Sequence, residues 1–159
     1  MSDHRWSWTA VRSLPSQPDA HVPFMLEILH ELKRLGWDGR DYFGVELALA
    51  ESLANAIHHG NRLDESKQVH VECKASDERF WIRICDEGAG FKPLLVPDCT
   101  ADENLECSGG RGLALIRAFM SHVEHNERGN CVTMEKIRSN EPFMRRNCRP
   151  CDGDDSTPK

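Results

Sequence analysis

Val69–Gly90 reads VHVECKASDERFWIRICDEGAG. Val69, Val71 and Cys73 alternate with polar residues, as do Phe80, Ile82 and Ile84, and the turn-like Ala75-Ser76-Asp77-Glu78 separates the two runs. Each run predicts a strand with one buried face, and the pair predicts an antiparallel hairpin. The second strand leads straight into Asp86-Glu87-Gly88-Ala89-Gly90-Phe91. Two glycines permit close backbone approach or positive φ, and an aspartate fixed at a strand end can accept a hydrogen bond from an exocyclic amine. By itself the same stretch fits a surface turn about as well.

Upstream, residues 5–12, with Trp6 and Trp8 two apart, suggest a first strand. Asp19 is placed to cap a helix in which Val22, Met25, Leu29 and Leu32 recur at helical spacing, with Gly36 as its stop. A second helix is expected from about Asp41 to His59, with Val45, Leu49, Leu53 and Ala56 inward and Gly60 ending it. Downstream, Glu87 to Gly110 has no sustained period and predicts a long connection, a candidate lid. Leu113, Leu115, Ile116 and Phe119 then mark a short helix, and His122–His125 and Cys131–Ile137 a second hairpin about Gly129. Runs of helices and of strands without βαβ alternation point to α+β. The expected architecture is a two-layer sandwich, with helices on one face of a mixed, mainly antiparallel sheet. One domain is expected over residues 1–139, followed by a polar, mobile tail over 140–159.

The chain has 159 residues and a formal charge of −6, which disfavours binding to a nucleic-acid phosphate backbone. No apolar run approaches the ~18–20 residues of a membrane span, and the segment around His4, Arg5, Trp6 and Trp8 lacks a leader-like apolar stretch. A cytoplasmic protein is expected. Cys73, Cys85, Cys99, Cys107, Cys131, Cys148 and Cys151 are odd in number and scattered, which suits reduced thiols better than a disulfide framework. Cys148-Arg149-Pro150-Cys151 is at best half of a zinc site; two free thiols on a polar tail are the plainer reading.

Three motifs carry chemistry. On the second helix, Glu51, Asn55 and His58 share a face at 100° per residue, roughly opposite Leu49, Leu53 and Ala56. An asparagine carbonyl can complete a magnesium shell made mostly of phosphate oxygens and water, while a nearby glutamate polarises an attacking hydroxyl. Taken alone, such a pair fits a solvated helix face better. The Asp86–Phe91 turn is the second motif. The third is SGGRGLALI, Ser108 to Ile116, where glycines enter a predicted helix whose first amides can face phosphates, with Ser108 and Arg111 as added donors.

Together, in this order and at these element boundaries, the motifs resemble the GHKL superfamily, with its Bergerat-type fold. It holds gyrase-type, chaperone and mismatch-repair ATPases, histidine kinases and anti-sigma serine kinases. The resemblance spans roughly Trp6 to Arg138: Glu51-Ser52-Leu53-Ala54-Asn55-Ala56 looks like the N box, and Asp86–Gly90 and Gly109–Gly112 look like the two glycine boxes. No GxxxxGK[ST] loop and no HRD and DFG set is present.

Within the superfamily, histidine kinases usually carry Asn four residues before the metal-binding Asn, so Glu51 points to a hydroxyl or water nucleophile. NAIHHGN (Asn55 to Asn61) and GGRGLALIRAFM (Gly109 to Met120) look most like anti-sigma-factor serine kinases. That resemblance implies ATP and Mg as cofactors, and Glu51 as the base for a substrate serine. It makes Asn55 the magnesium ligand and Asp86 the adenine reader. Gly88, Gly90, Gly109, Gly110 and Gly112 would shape pocket and lid, with Ser108 and Arg111 near phosphate. It also implies a homodimer that sequesters a sigma factor or phosphorylates a STAS-type anti-anti-sigma protein. An ATP-binding switch without turnover, and a catalytic domain acting on a histidine in trans, are the alternatives. His59 matches a family position read as holding the helix end. Two positions depart from the pattern: Cys107, where some relatives have an Arg, and Asn130, where relatives often place a Thr whose hydroxyl lies near adenine.

Overall fold

The computed structural model describes residues 5–90 and 110–139. In chain order its elements are β1 (Trp8–Pro15), α1 (Val22–Arg34), α2 (Gly39–Asn55) continued by a π-helical turn (Ala56–Gly60), β2 (Gln68–Ala75), β3 (Arg79–Cys85), α3 (Gly110–Phe119), β4 (His122–His125) and β5 (Cys131–Ile137). The strands form one sheet in the order β1-β2-β3-β5-β4, and every pairing among the described residues is antiparallel. The sandwich is α+β as the sequence indicates.

Alternation fixes which side of the sheet is covered. Val69, Val71, Cys73 and Ala75 on β2, Phe80, Ile82 and Ile84 on β3 and Met134 on β5 are buried with residues of all three helices in one core. Their neighbours His70, Glu72, Lys74, Arg83 and Glu124 point the other way and are partly or fully exposed. On α1 the buried stripe is Phe24, Ile28, Leu29 and Leu32. On α2 it is Val45, Ala48, Leu49 and Leu53. Trp37 is buried and donates its indole N–H to the Ser76 carbonyl at 2.8 Å, so its one polar atom is satisfied where the ring is enclosed. Asp41, in the first turn of α2, accepts from the Ser139 backbone N–H at 2.9 Å and hydroxyl at 2.8 Å, which ties the end of β5 to that helix.

Several expectations are corrected. The first strand runs over Trp8–Pro15, three residues later than residues 5–12, because Ala10 and Leu14 are the buried pair and β1 is an edge strand, where Pro15 can end the ladder. Asp19 does not cap α1: its φ is 60°, and His21 holds the cap position without a side-chain hydrogen bond. The second helix does not stay α-helical to His59; it widens into the π turn after Asn55. Nor are all thiols reduced. Cys85 and Cys131 face each other in the β3–β5 register and are joined by a disulfide, their Cα atoms 4.1 Å apart. A scattered count of cysteines cannot show that two of them end adjacent strands. Cys73 is a free, buried thiol, and desolvation pushes its pKa up to about 12. Cys99, Cys107, Cys148 and Cys151, most of the expected lid and the expected tail lie outside the described residues. Among the described residues no helix is long and apolar enough to cross a membrane.

Candidate functional site

Glu51 and Asn55 lie one turn apart near the end of α2, both half-buried, while Ser52 and Leu53 turn into the core. The first turn of α3 packs on them. A Cβ placed on Gly112 would stand 2.8 Å from a Glu51 carboxylate oxygen and 3.2 Å from the Asn55 amide nitrogen. A side chain at 112 would therefore push into both groups. The predicted glycine loop is already helical from Gly110, so Gly110, Arg111 and Gly112 belong to a first turn whose amide N–H groups have no helical partner. Backbone donors, a carboxylate and a carboxamide are thus gathered in one place.

A π turn holds one more residue per hydrogen-bonded ring than an α turn. Its occurrence over Ala56–Gly60 moves His58 off the spacing that the sequence predicts, and His58 and His59 are both exposed. His59 does not hold the helix end by packing. Main-chain bonds do, from the Asn61 N–H to the Ala56 carbonyl at 2.9 Å and from the Leu63 N–H to the Ile57 carbonyl at 3.0 Å.

The Asp86–Gly90 turn interlocks with this helix end. A Cβ on Gly60 would overlap the Asp86 carboxylate, and one on Gly88 would overlap the Gly60 carbonyl oxygen. Only glycine at both positions lets the two segments touch. The Gly88 N–H donates to Asp86 Oδ1 at 2.8 Å, fixing the carboxylate from its own turn. Burial raises the Asp86 pKa above its ordinary 3.8, against the lowering effect of that Gly88 bond and of Arg128. Gly90 has φ 81° and backs onto the Arg128 backbone.

Three residues to which sequence reasoning assigned no such part hold the turn. Asn61 is buried; its Oδ1 accepts from the Glu87 N–H at 2.8 Å, and its Nδ2 donates to Ser16 Oγ at 2.8 Å and to the Gln68 carbonyl at 3.0 Å. It joins the end of the π turn to the residue after β1, the start of β2 and the turn after β3. Asn130, the departure noted above, donates from Nδ2 to the Asp86 carbonyl at 2.9 Å, and its own carbonyl accepts from the Asp86 N–H at 2.8 Å. Arg128 donates to the Gly88 carbonyl at 3.1 Å. Sequence signals existed for Asn61, which closes the NAIHHGN phrase, and for Asn130, which departs from the family pattern, but none for Arg128. Replacing Asn61 with alanine strands buried donors and acceptors on three segments, so Asn61→Ala is expected to lower unfolding free energy by about 2–4 kcal/mol. Urea denaturation followed by circular dichroism measures this; a loss under about 1 kcal/mol would contradict the hub role.

Of the residues singled out from sequence, Glu51, Asn55 and Gly112 come together around the end of α2, and Asp86 and Gly88 lock onto its π turn through Gly60. Ser108 and Gly109 lie outside the described residues, and Gly110 and Arg111 are described in backbone only. No group of three or more His, Cys, Asp and Glu side chains among the described residues could hold a metal ion. An ion at Asn55 would draw most of its shell from phosphate oxygens and water, a habit of magnesium.

Residues 14–136 match the family described as histidine kinase-like ATPase domain. The chain is 34% identical over 98 residues to an anti-sigma F factor of Oceanobacillus iheyensis, an alignment covering 58% of this chain and 66% of that protein. It is 26% identical over 137 residues to the serine-protein kinase RsbW of Bacillus subtilis, covering 80% and 84% of the two. Among solved structures, the RsbU and RsbW domains of a Mycobacterium tuberculosis protein superpose with a TM-score of 0.53 at 16% identity, over 83% of this chain and 32% of that one.

Proposed function

Because the chain belongs to the histidine kinase-like ATPase domain family, we propose that it is an anti-sigma factor with serine-protein kinase activity, binding ATP with magnesium and phosphorylating a serine of a STAS-type anti-anti-sigma partner. The observation that carries this reading is the packing of Gly112 on both Glu51 and Asn55. It sets the segment suited to phosphates against a carboxylate that can take a proton and a carboxamide whose oxygen can bind an ion.

In this reading Asp86 accepts the adenine amine at the end of β3, with Gly88 and Gly90 letting its turn close on Gly60 and on the Arg128 backbone. Gly110 and Gly112, in the first turn of α3, offer backbone amides to the phosphates, and Ser108, Gly109 and Arg111 are assigned to the phosphates by the family resemblance. Asn55 would hold a magnesium ion, which supplies neutralising charge on the phosphate oxygens when bound. Glu51 removes the proton from the attacking serine hydroxyl. Phosphoryl transfer asks mainly for positioning and charge stabilisation, which a rigid helix end and backbone amides supply. The names of the anti-sigma F relatives support a sigma factor as binding partner, and a cytoplasmic homodimer belongs to the same proposal.

Incubation with ATP, magnesium and a STAS-type partner tests the reading. An acid-stable phosphoserine on the partner is the expected product. An acid-labile phosphohistidine would indicate a histidine-directed catalytic domain, and nucleotide-dependent complex formation without any phosphoprotein would indicate a switch without turnover.

A further inference from the structure

The Cys85–Cys131 bond stands at a position with consequences for the nucleotide site. The two cysteines are the last register pair of the β3–β5 ladder. The residues immediately beyond them on each strand are Asp86 and Asn130, which exchange two hydrogen bonds, from the Asp86 N–H to the Asn130 carbonyl at 2.8 Å and from Asn130 Nδ2 to the Asp86 carbonyl at 2.9 Å. The disulfide is therefore a covalent clamp directly next to the aspartate assigned to adenine. Both cysteines lie on the sheet face away from the helices and are partly exposed, unlike the buried Cys73.

Exposed disulfides are the ones that exchange, because an attacking thiolate can reach a sulfur. His70 stands opposite Cys85 in the β2–β3 register, so a row of Ser13, His70, Cys85 and Cys131 crosses four strands on the open face. The His70 ring is held between Ser13 Oγ at 3.1 Å and Glu87 at 2.9 Å.

We propose that Cys85 and Cys131 form a reversible thiol–disulfide couple that sets nucleotide affinity by clamping Asp86 to Asn130. This rests on the nucleotide reading given above. Oxidation proceeds by exchange with a low-molecular-weight disulfide: the thiolate of one cysteine attacks it, a mixed disulfide forms and one small thiol leaves. The second cysteine thiolate then displaces the other small thiol, closing the Cys85–Cys131 bond. Two electrons pass to the small disulfide, and the protons lost by the cysteines end on the small thiols. Two equivalents of the small thiol reverse each step, and a dithiol reduces the bond through one mixed disulfide that its second thiolate then displaces, leaving the dithiol oxidised and both cysteines as thiols. The oxidised form fixes the floor of the site before ATP arrives, and the reduced form leaves two hydrogen bonds to do so alone.

Two measurements on the full chain test the proposal. In glutathione buffers of increasing oxidised fraction, trapping of thiols by alkylation and mass spectrometry is expected to show a reversible Cys85–Cys131 link; its failure to form, or to reopen, overturns the couple. Calorimetric titration with ATP and magnesium is expected to show roughly threefold to tenfold tighter binding before treatment with dithiothreitol than after it. C85S and C131S, each tested singly, are expected to bind like the reduced protein under both conditions. Equal affinity in both redox states, or a redox response that survives in both variants, overturns the proposal. Absence of ATP binding in either state, with the couple intact by alkylation, removes the nucleotide reading itself and this regulation with it.

Discussion

Glu51→Ala is expected to slow phosphate transfer to a STAS-type partner by about 10²–10⁴-fold, the range by which a positioned general base contributes, while ATP and magnesium still bind. Glu51 sits on the regular α-helical part of α2, a turn before the helix widens, and its carboxylate borders Gly112. The groups assigned to adenine lie apart from it on the turn after β3, so loss of the carboxylate leaves the base-binding end intact. Glu51→Gln keeps the shape against Gly112 but cannot accept the proton, and it should be as impaired as the alanine variant. Unchanged transfer in either variant, measured by phosphoserine formation under single-turnover conditions, would remove Glu51 from the mechanism.

Asp86→Asn is expected to weaken ATP binding by about tenfold to a hundredfold, the loss for a buried hydrogen bond to a charged acceptor. The pH dependence has a definite sign. Burial raises the Asp86 pKa above 3.8, so the folded protein holds this proton where the unfolded chain releases it. Across that window the group's contribution to stability falls as pH rises. Affinity moves oppositely, since only the ionised carboxylate has full capacity to accept from the adenine amine. Binding is held above the Asp86 titration and lost as pH falls through it, beginning at a higher pH than for a solvated aspartate. Calorimetry at several pH values on wild type and Asp86→Asn checks both parts; an identical acid loss in the variant would assign it to another group.

The fold was largely legible because its sheet is antiparallel with one open face. The period-two runs of Val69–Cys73 and Phe80–Ile84 name their own buried side, and the β2–β3 register pairs Val71 with Ile84 and Cys73 with Ile82 as that hairpin requires. β1 was less legible, since an edge strand tolerates Arg12 and Ser13 beside its buried Ala10 and Leu14. The helix ends were the least readable. A π turn depends on how the chain after Asn55 is anchored, and its anchors include the Asn61 and Leu63 amides. Asp19 has the chemistry of a cap, yet the chain turns left-handed there, and its carbonyl instead accepts from the Val22 N–H at 3.1 Å.

At the candidate site, residue types were readable and partners were not. Glu51 with Asn55 follows from helix geometry, and the glycines from the need for close approach. That Gly60 and Gly88 meet each other, that Asn61 spans three segments and that Cys85 finds Cys131 all depend on pairs distant in sequence. No local pattern reports them. Asn130 shows the same limit: what reads as a departure from a family pattern is a brace on Asp86.

In the proposed function ATP occupies the ground between the end of α2, the Asp86–Gly90 turn and the start of α3. Hydrogen–deuterium exchange with and without ATP and magnesium tests its location most directly. Slowed exchange at Asn55–Gly60, Asp86–Gly90 and the amides from Gly110 to Ile116 is the predicted result, with the exposed strand β1 unchanged. Nucleotide binding that leaves all three segments unprotected, or protects another surface, would contradict it.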